Sequence, residues 1–590
     1  MRIIFHKWLA IFNRWHWSAI ASSLLMIFIF SLFCFLLYKN ISYPLLWNNE
    51  SETVDTAQQI LKFGYPKVHD GKNMHYIPDN NLSIGYKESA DANITIPWGN
   101  YYFATIGAEL AQLTDNIYWK TALNRIPFAT IGLIGLLLIL LSVKKIFSNR
   151  NEYKLFIALF LFLESFSVSL LLTLRTARYY SLTIFILGCF LYIFLNHRYW
   201  QKCTPLKYCT LMTLILFCAF NINSAIFLLL VFTILSSELF NLIKSWLQKK
   251  KLGNDKKGVR KILNNFLKKI SPLLITPILL IPNIIFFETF STLIRAKEYY
   301  HLGAGQYLEN VRRIYFYLSN LELFYLALGT KIFFIGIVLY CFYPKKNNKP
   351  DNNTTLFSLI KINFFTSYFF ILTTLLITTL PFAFSWIVHY QAAQPLLILN
   401  LVIDLFTIYH FIDRGKNETS NIIVQGLLTI VICLFFLVNV NTFFSYNKAY
   451  FYQLHNQLRG PLDFIIPYIQ KNYSNTSDLS IATNYEELSY VYYLNARYLL
   501  GYSQINLNED LKQIPDIVIF RKKWQHNPDA FNYYLSQQTY QKISFPIYDF
   551  PTNDIAELLS NRHWLYNHRF LTTYTNNPQD QVEIYIKTKK

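Results

Sequence analysis

A carboxylate placed just beyond a long apolar run can meet water, lipid headgroups and a substrate at once, and Glu50 is so placed. It follows the uncharged run Ser18–Leu37 and belongs to Trp47-Asn48-Asn49-Glu50, the opening of a stretch in which Val54, Ala57, Ile60 and Leu61 recur at helical spacing until Gly64-Tyr65-Pro66 stops it. The pattern predicts an amphipathic helix lying along a membrane surface, with Glu50 at its start. The plainer reading is that Glu50 and Glu52 suit the positive end of the helix dipole. A second cluster is Arg175-Thr176-Ala177-Arg178-Tyr179-Tyr180. Two guanidinium groups three residues apart can share one face of a helical turn, and arginine's planar fork suits a phosphate. Contact with bilayer phosphates is the alternative.

Such groups need a scaffold that holds them at one face of a membrane. The chain has 590 residues, is 53% hydrophobic and 15% charged, and carries 51 Phe and 43 Tyr among long uncharged runs, a lipid-embedded composition. Its net charge of +20 lies in short clusters between those runs rather than along one polar face, so it reads as a topology signal and no nucleic-acid partner is expected. Candidate spans are Ser18–Leu37, Ile126–Phe147, Tyr153–Thr173, Tyr180–Leu195, Ser271–Phe290, Leu321–Phe342, Leu356–Leu380, Gln391–Phe411 and Asn421–Phe443. Lys207–Leu242 is flanked by basic clusters on both sides, which one crossing would separate. A break near Asn221, Ile222 and Asn223 makes it two short helices and brings the total to about eleven spans.

Arg2, Lys7 and Arg14 precede the first span, which lacks a small-residue cleavage site before Tyr38 and Lys39, so it reads as an uncleaved anchor with a cytoplasmic N-terminus. An odd span count then puts the C-terminal region outside, together with the loop over 40–125 and the cluster at Arg175 and Arg178. Positive charge on the outside runs against the usual bias, which favours a specific role for that pair. The expected fold is an α-helical polytopic membrane domain over 1–446, followed by a soluble α/β domain over 447–590. In the latter, strand-like runs Leu479–Thr483, Ile517–Phe520 and Val582–Ile586 mix with a helix over Leu462–Lys471. The basic run Lys244–Lys269 reads as a solvated cytoplasmic loop.

Motifs exclude several chemistries. The seven cysteines fall in spans, at span ends or in a cytoplasmic loop, which gives neither a disulfide framework nor zinc spacing. No P-loop, GxGxxG, HExxH or GxSxG occurs, so neither a nucleotide nor a serine nucleophile is indicated, and no cofactor or metal is expected. Trp98, Tyr101 and Tyr102 could stack on a sugar or simply form an interfacial aromatic belt. Arg295, Lys297, His301, Arg312 and Arg313 could hold a carrier phosphate or lipid headgroups. Glu164 and Asp404 lie within spans, where a carboxylate is either functional or satisfied by a neighbouring helix.

Taken in order, Trp47-Asn48-Asn49-Glu50 with Ala57-Gln58-Gln59-Ile60-Leu61-Lys62-Phe63-Gly64-Tyr65-Pro66, then Arg175-x-Ala177-Arg178-x-Tyr180-x-Leu182, then His389-Tyr390 with Pro395, resemble the motifs of the GT-C membrane glycosyltransferases. That group contains aminoarabinose transferases, protein O-mannosyltransferases and bacterial lipopolysaccharide-core sugar transferases. The resemblance covers roughly residues 15 to 445. It departs at Asn49, where the family often has Asp, and at His389, where it usually has Arg. It implies a GT-C fold in a bacterial inner (plasma) membrane and transfer of a sugar, with inversion, from a polyprenyl-phosphate donor to a lipid, glycan or protein acceptor. It further implies Glu50 as general base and Arg175, Arg178, Tyr180 and His389 on the donor phosphate, with Asn49, Trp98, Tyr101 and Tyr390 against substrate. Two rivals remain. A secondary transporter would place ionisable groups at mid-membrane in symmetric repeats, and a cell-surface glycan polymerase or ligase would carry its large loop late among the spans, whereas here it follows the first.

Overall fold

The computed structural model describes residues 19–76, 85–200, 203–250, 256–291, 294, 318, 321, 323–342, 354–379, 392–414, 454–522, 528–549 and 574–588. The expected span Asn421–Phe443, the pair His389 and Tyr390, and the basic residues Arg295, Lys297, His301, Arg312 and Arg313 lie outside them.

Runs of apolar residues about 20 long become helices because a bilayer leaves no other partner for the backbone. They give α1 (Ala19–Tyr38), then, after the first long loop, α4 (Ile117–Val143) and α5 (Arg150–Ser165) with α6 (Val168–Leu174). There follow α7 (Tyr180–Arg198), α8 (Pro205–Ile222), α9 (Ser224–Lys250), α10 (Lys256–Phe286), α11 (Phe324–Phe342), α12 (Thr354–Thr379) and α13 (Gln394–Arg414). Among the described residues eight helices are long and apolar enough to cross a membrane, or nine if the bent pair α5–α6 is one span. The chain is an integral membrane protein.

Two sequence expectations change, and the expected break holds. The run Tyr153–Thr173 is not one straight span but bends by 88° between α5 and α6. The basic run Lys244–Lys269 is largely helical, as the ends of α9 and α10, because lysine and leucine are both good helix formers and the apolar face continues through the charges. The break at Asn221–Asn223 is present: Asn223 leaves the helical region, and its side chain accepts the Ala225 N–H at 3.0 Å to start α9. In the span region Asp404 has its partners on neighbouring helices, Lys331 Nζ at 3.0 Å and Asn363 Nδ2 at 2.6 Å, which matches the structural reading of that carboxylate.

The first long loop folds into α2 (Asn48–Phe63), a short hairpin of β1 (Tyr86–Lys87) and β2 (Ala92–Asn93), and α3 (Gly99–Ala111). Helix α2 stops where Gly64 takes φ +83, a left-handed conformation that glycine adopts without a Cβ penalty. The surface-lying helix expected here is instead largely enclosed: Glu50, Ser51, Thr53, Val54, Asp55, Thr56, Ala57, Gln59 and Ile60 are all buried. One side is covered by α3 and the other by the C-terminal domain.

That domain contains α14 (Leu462–Asn472), α15 (Glu487–Leu494) and α16 (Pro528–Gln537) around a five-stranded sheet in the order β4-β3-β5-β7-β6. Its strands are β3 (Ser480–Thr483), β4 (Arg497–Leu500), β5 (Ile517–Ile519), β6 (Tyr540–Tyr548) and β7 (Gln581–Lys587). β3 runs parallel to β4 and β5, and β7 antiparallel to β5 and β6. Helix α15 docks the domain on the loop. Ser489 Oγ meets Ser51 Oγ at 2.7 Å, Tyr492 Oη accepts from Asn124 at 2.6 Å, and Tyr493 Oη accepts the Leu46 N–H at 2.9 Å while bonding Thr121.

Candidate active site

Of the three acidic residues on helix α2, Glu50 and Glu52 have contrasting surroundings. Glu50 is fully buried, and both its oxygens are taken: Arg125 Nε donates to Oε1 at 2.9 Å, Arg125 Nη2 to Oε2, and the Ala177 N–H to Oε1 at 2.8 Å. Arg125, near the start of α4, spends its remaining nitrogen on the carbonyls of Ile41 at 3.0 Å and Pro44 at 2.8 Å. A charge so deeply buried is tolerated only when it is paired and hydrogen-bonded throughout, as this one is. The pair ties together the end of α1, the start of α2, α4 and the segment after α6.

Through Ala177 the same knot fixes the Arg175–Tyr179 segment, which is a bend rather than the helical turn expected from the sequence. The two arginines therefore part instead of sharing a face. Arg175 is buried and donates to the Lys39 carbonyl at 2.8 Å. Arg178 turns to the other side of α2, where its Nη1 reaches the Asn49 carbonyl at 3.0 Å, Glu52 Oε2 at 3.3 Å and Thr53 Oγ1 at 3.3 Å. Its Nε is buried with no hydrogen-bond partner among the described residues. Tyr180 opens α7, with its ring 4.6 Å from that of Tyr179.

Glu52 is 15% exposed, and its ion pair with Arg178 is long. Burial, opposed by Arg178 and reinforced by the charge of Asp55, pushes its carboxyl above the usual range. Tyr101, in the first turn of α3, is buried within the field of both Glu52 and Arg178. One turn past Glu52, Asp55 accepts from His75 Nδ1 at 2.6 Å, and Asp70 lies 3.0 Å from His75 Nε2. Burial alone would lower the His75 imidazole, but the two carboxylates outweigh it and hold it up at about 10. Asp55 Oδ1 and Gln59 Oε1 remain buried without partners among the described residues. Positions 52, 55 and 59 share a face of α2, and this face with Tyr101 and Arg178 forms a buried polar cluster.

Beside it runs an apolar groove of about 640 Å³, lined by Trp98, Tyr102, Phe217, Pro282, Phe286 and Phe287. Trp98 lies edge-on to Phe286 and Phe287, with centroids at 5.0 and 5.4 Å, and donates to the Asn93 carbonyl at 2.7 Å. It walls the groove. Gly99 lets α3 approach the Asn221 break, since a Cβ there would lie 2.6 Å from the Asn221 carbonyl oxygen. The start of α3 contributes to both, with Trp98 lining the groove and Tyr101 in the polar cluster. No group of acidic, histidine or cysteine side chains suited to a metal occurs among the described residues.

Of the residues that sequence reasoning singles out, Glu50, Asn49, Arg178 and Tyr101 lie at or against α2, while Arg175 holds the Lys39 carbonyl, Trp98 walls the groove and Tyr180 stands by Tyr179. That reasoning passed over Arg125, which read as a loop boundary, and the Asp55–His75–Asp70 set. The spacing of Glu52, Asp55 and Gln59 along one helix face is the available signal for the polar cluster.

No family model matches the chain, and no curated protein matches it. Among solved structures it is similar to ArnT from Cupriavidus metallidurans bound to undecaprenyl phosphate, with 10% identity and a TM-score of 0.48, and to ArnT from Cupriavidus metallidurans in the apo state, with 10% identity and a TM-score of 0.44. Each alignment covers 96% of this chain and 98% of that one.

Proposed function

We propose that the chain is a membrane glycosyltransferase that moves a sugar from a polyprenyl-phosphate donor to a lipid, glycan or protein acceptor on the exterior face of the membrane. One observation carries the reading: a buried arginine with an unspent N–H, Arg178, stands beside a desolvated carboxyl, Glu52, and helix α3, which packs on α2, also lines an apolar groove. A phosphate with an isoprenoid tail needs that juxtaposition. The order of sequence motifs along the chain supports the same class.

In this reading the tail lies in the groove and the phosphate meets Arg178. The arriving phosphate competes with Glu52 for the guanidinium and so frees the carboxylate. Glu52 then takes the proton of the acceptor hydroxyl as its oxygen attacks the anomeric carbon. The carbon–oxygen bond to phosphate breaks in the same displacement, with inversion, and Arg178 offsets the charge on the departing phosphate. The base role passes from Glu50, where the family resemblance put it, to Glu52. Glu50 is enclosed and both its oxygens already accept from donors, which suits it to positioning. Arg175 likewise supports the loop, and Asn49 serves through its carbonyl.

Binding of undecaprenyl phosphate to the detergent-purified full chain tests the phosphate assignment. Loss of a charged hydrogen bond costs about 1.5–3 kcal/mol, so Arg178→Ala weakens binding roughly tenfold to a hundredfold. Unchanged affinity in a folded variant removes Arg178 from the site.

A further inference from the structure

Helix α15 is not the only seat of the C-terminal domain. Strand β4 stands at the edge of its sheet, and an open edge leaves backbone groups unpaired. Asn73 of the first loop fills that edge as a neighbouring strand would: its Nδ2 donates to the Ala496 carbonyl at 3.0 Å, and its Oδ1 accepts the Tyr498 N–H at 3.0 Å. Lys72 Nζ donates to the carbonyls of Ser477, at 2.7 Å, and Asn495, and the Tyr498 hydroxyl donates to the Met74 carbonyl at 2.8 Å. One carboxylate shapes the turn that presents these groups. Asp70 Oδ1 accepts the N–H groups of Lys72 and Asn73, both at 2.8 Å.

The other oxygen of Asp70 faces His75 Nε2 at 3.0 Å, and Asp55 on α2 faces Nδ1 at 2.6 Å. A neutral imidazole has one N–H, so carboxylates on both of its nitrogens require the doubly protonated cation. The Gln59 amide lies 3.1 and 3.2 Å from the same two nitrogens; turned with its oxygen toward the ring, it accepts from the cation and that oxygen gains a partner. The imidazole is buried, where a charge persists only when it is paired and hydrogen-bonded. We propose that the His75 imidazolium is the charged pin of an interdomain latch: it ties α2 to the Asp70 turn, and the turn seats the edge of the C-terminal sheet. The groups that face His75 are Asp55 and Gln59 from α2 and Asp70 from its own turn, while Tyr498 from β4 faces Asp55. Burial opposes the charge, the two carboxylates outweigh it, and the ring is held up at about 10. A histidine raised in this way stabilises fully below its ordinary value and loses that contribution as pH rises through the folded one, so the pin stays charged across the neutral range.

The latch ends on the helix that carries Glu52 but rests on no role of that residue, and its test needs no turnover. Amide hydrogen exchange of the detergent-purified full chain, read residue by residue through fragment mass spectrometry, separates the latch from the domain's own stability. The Tyr498 N–H donates across the junction to Asn73, whereas the Leu500 N–H donates within the domain to Asp510 at 2.8 Å. At neutral pH, His75→Gln speeds exchange at Tyr498 by on the order of tenfold, the scale of one lost hydrogen bond, and leaves Leu500 near its wild-type rate. Asp70→Asn keeps an oxygen for the Lys72 and Asn73 N–H groups but removes the charge opposite His75. It gives the same pattern, and it carries the test alone should the His75 variant not fold. Wild-type protection of Tyr498 in either folded variant overturns the latch. So does equal loss of protection at Leu500, which would mark general unfolding of the domain.

Discussion

Glu52→Gln abolishes sugar transfer while leaving the protein folded and able to bind undecaprenyl phosphate. The amide keeps the size of the side chain and a hydrogen bond for Arg178 but cannot accept the acceptor proton, and loss of a general base costs on the order of a hundredfold to ten-thousandfold in rate. Glu52 suits that task because it is desolvated, partly open and held only by a long ion pair. The assay is transfer from undecaprenyl-phosphate-linked sugars to membranes of a host lacking the chain. Near-normal transfer by this variant would eliminate Glu52 as the base.

The second large effect is structural. Arg125→Ala leaves the Glu50 carboxylate buried with its two strongest donors gone, and breaking a buried pair on one side costs about 3–5 kcal/mol. The variant loses thermal stability, and with it the ordered segment that presents Arg178. Replacing both partners, as Glu50→Met with Arg125→Met, removes the uncompensated charge and recovers most of the lost stability, as apolar replacement of both members of a buried pair commonly does. Because Glu52 remains, the double variant also retains measurable transfer. Complete loss of transfer in a folded double variant would return the base role to Glu50.

Much of this was legible before any coordinates. Apolar run length located the membrane helices, Gly64 ended the first loop helix, and the asparagines at 221–223 marked a break, since each depends on local chain chemistry. The strand-like runs near 480, 517 and 582 became β3, β5 and β7 for the same reason. Tertiary partners were not legible. Arg125 sits 75 residues from Glu50 and looked like a flank of a span, yet that pairing decides which carboxylate on α2 is enclosed. The i,i+3 spacing of Arg175 and Arg178 points to one shared ligand only if the segment is helical; it is a bend, and the two arginines go to different partners, the Lys39 carbonyl for Arg175 and Asn49, Glu52 and Thr53 for Arg178.

A lipid-borne phosphate is proposed to sit at Arg178 beside Glu52. An experimental density map of the full chain with undecaprenyl phosphate tests it most directly. The account predicts phosphate density within hydrogen-bond distance of the Arg178 guanidinium, with the tail running past Trp98 into the groove walled by Phe286 and Phe287. Phosphate density held elsewhere, with Arg178 still bonded to Glu52 and the groove empty, would contradict it.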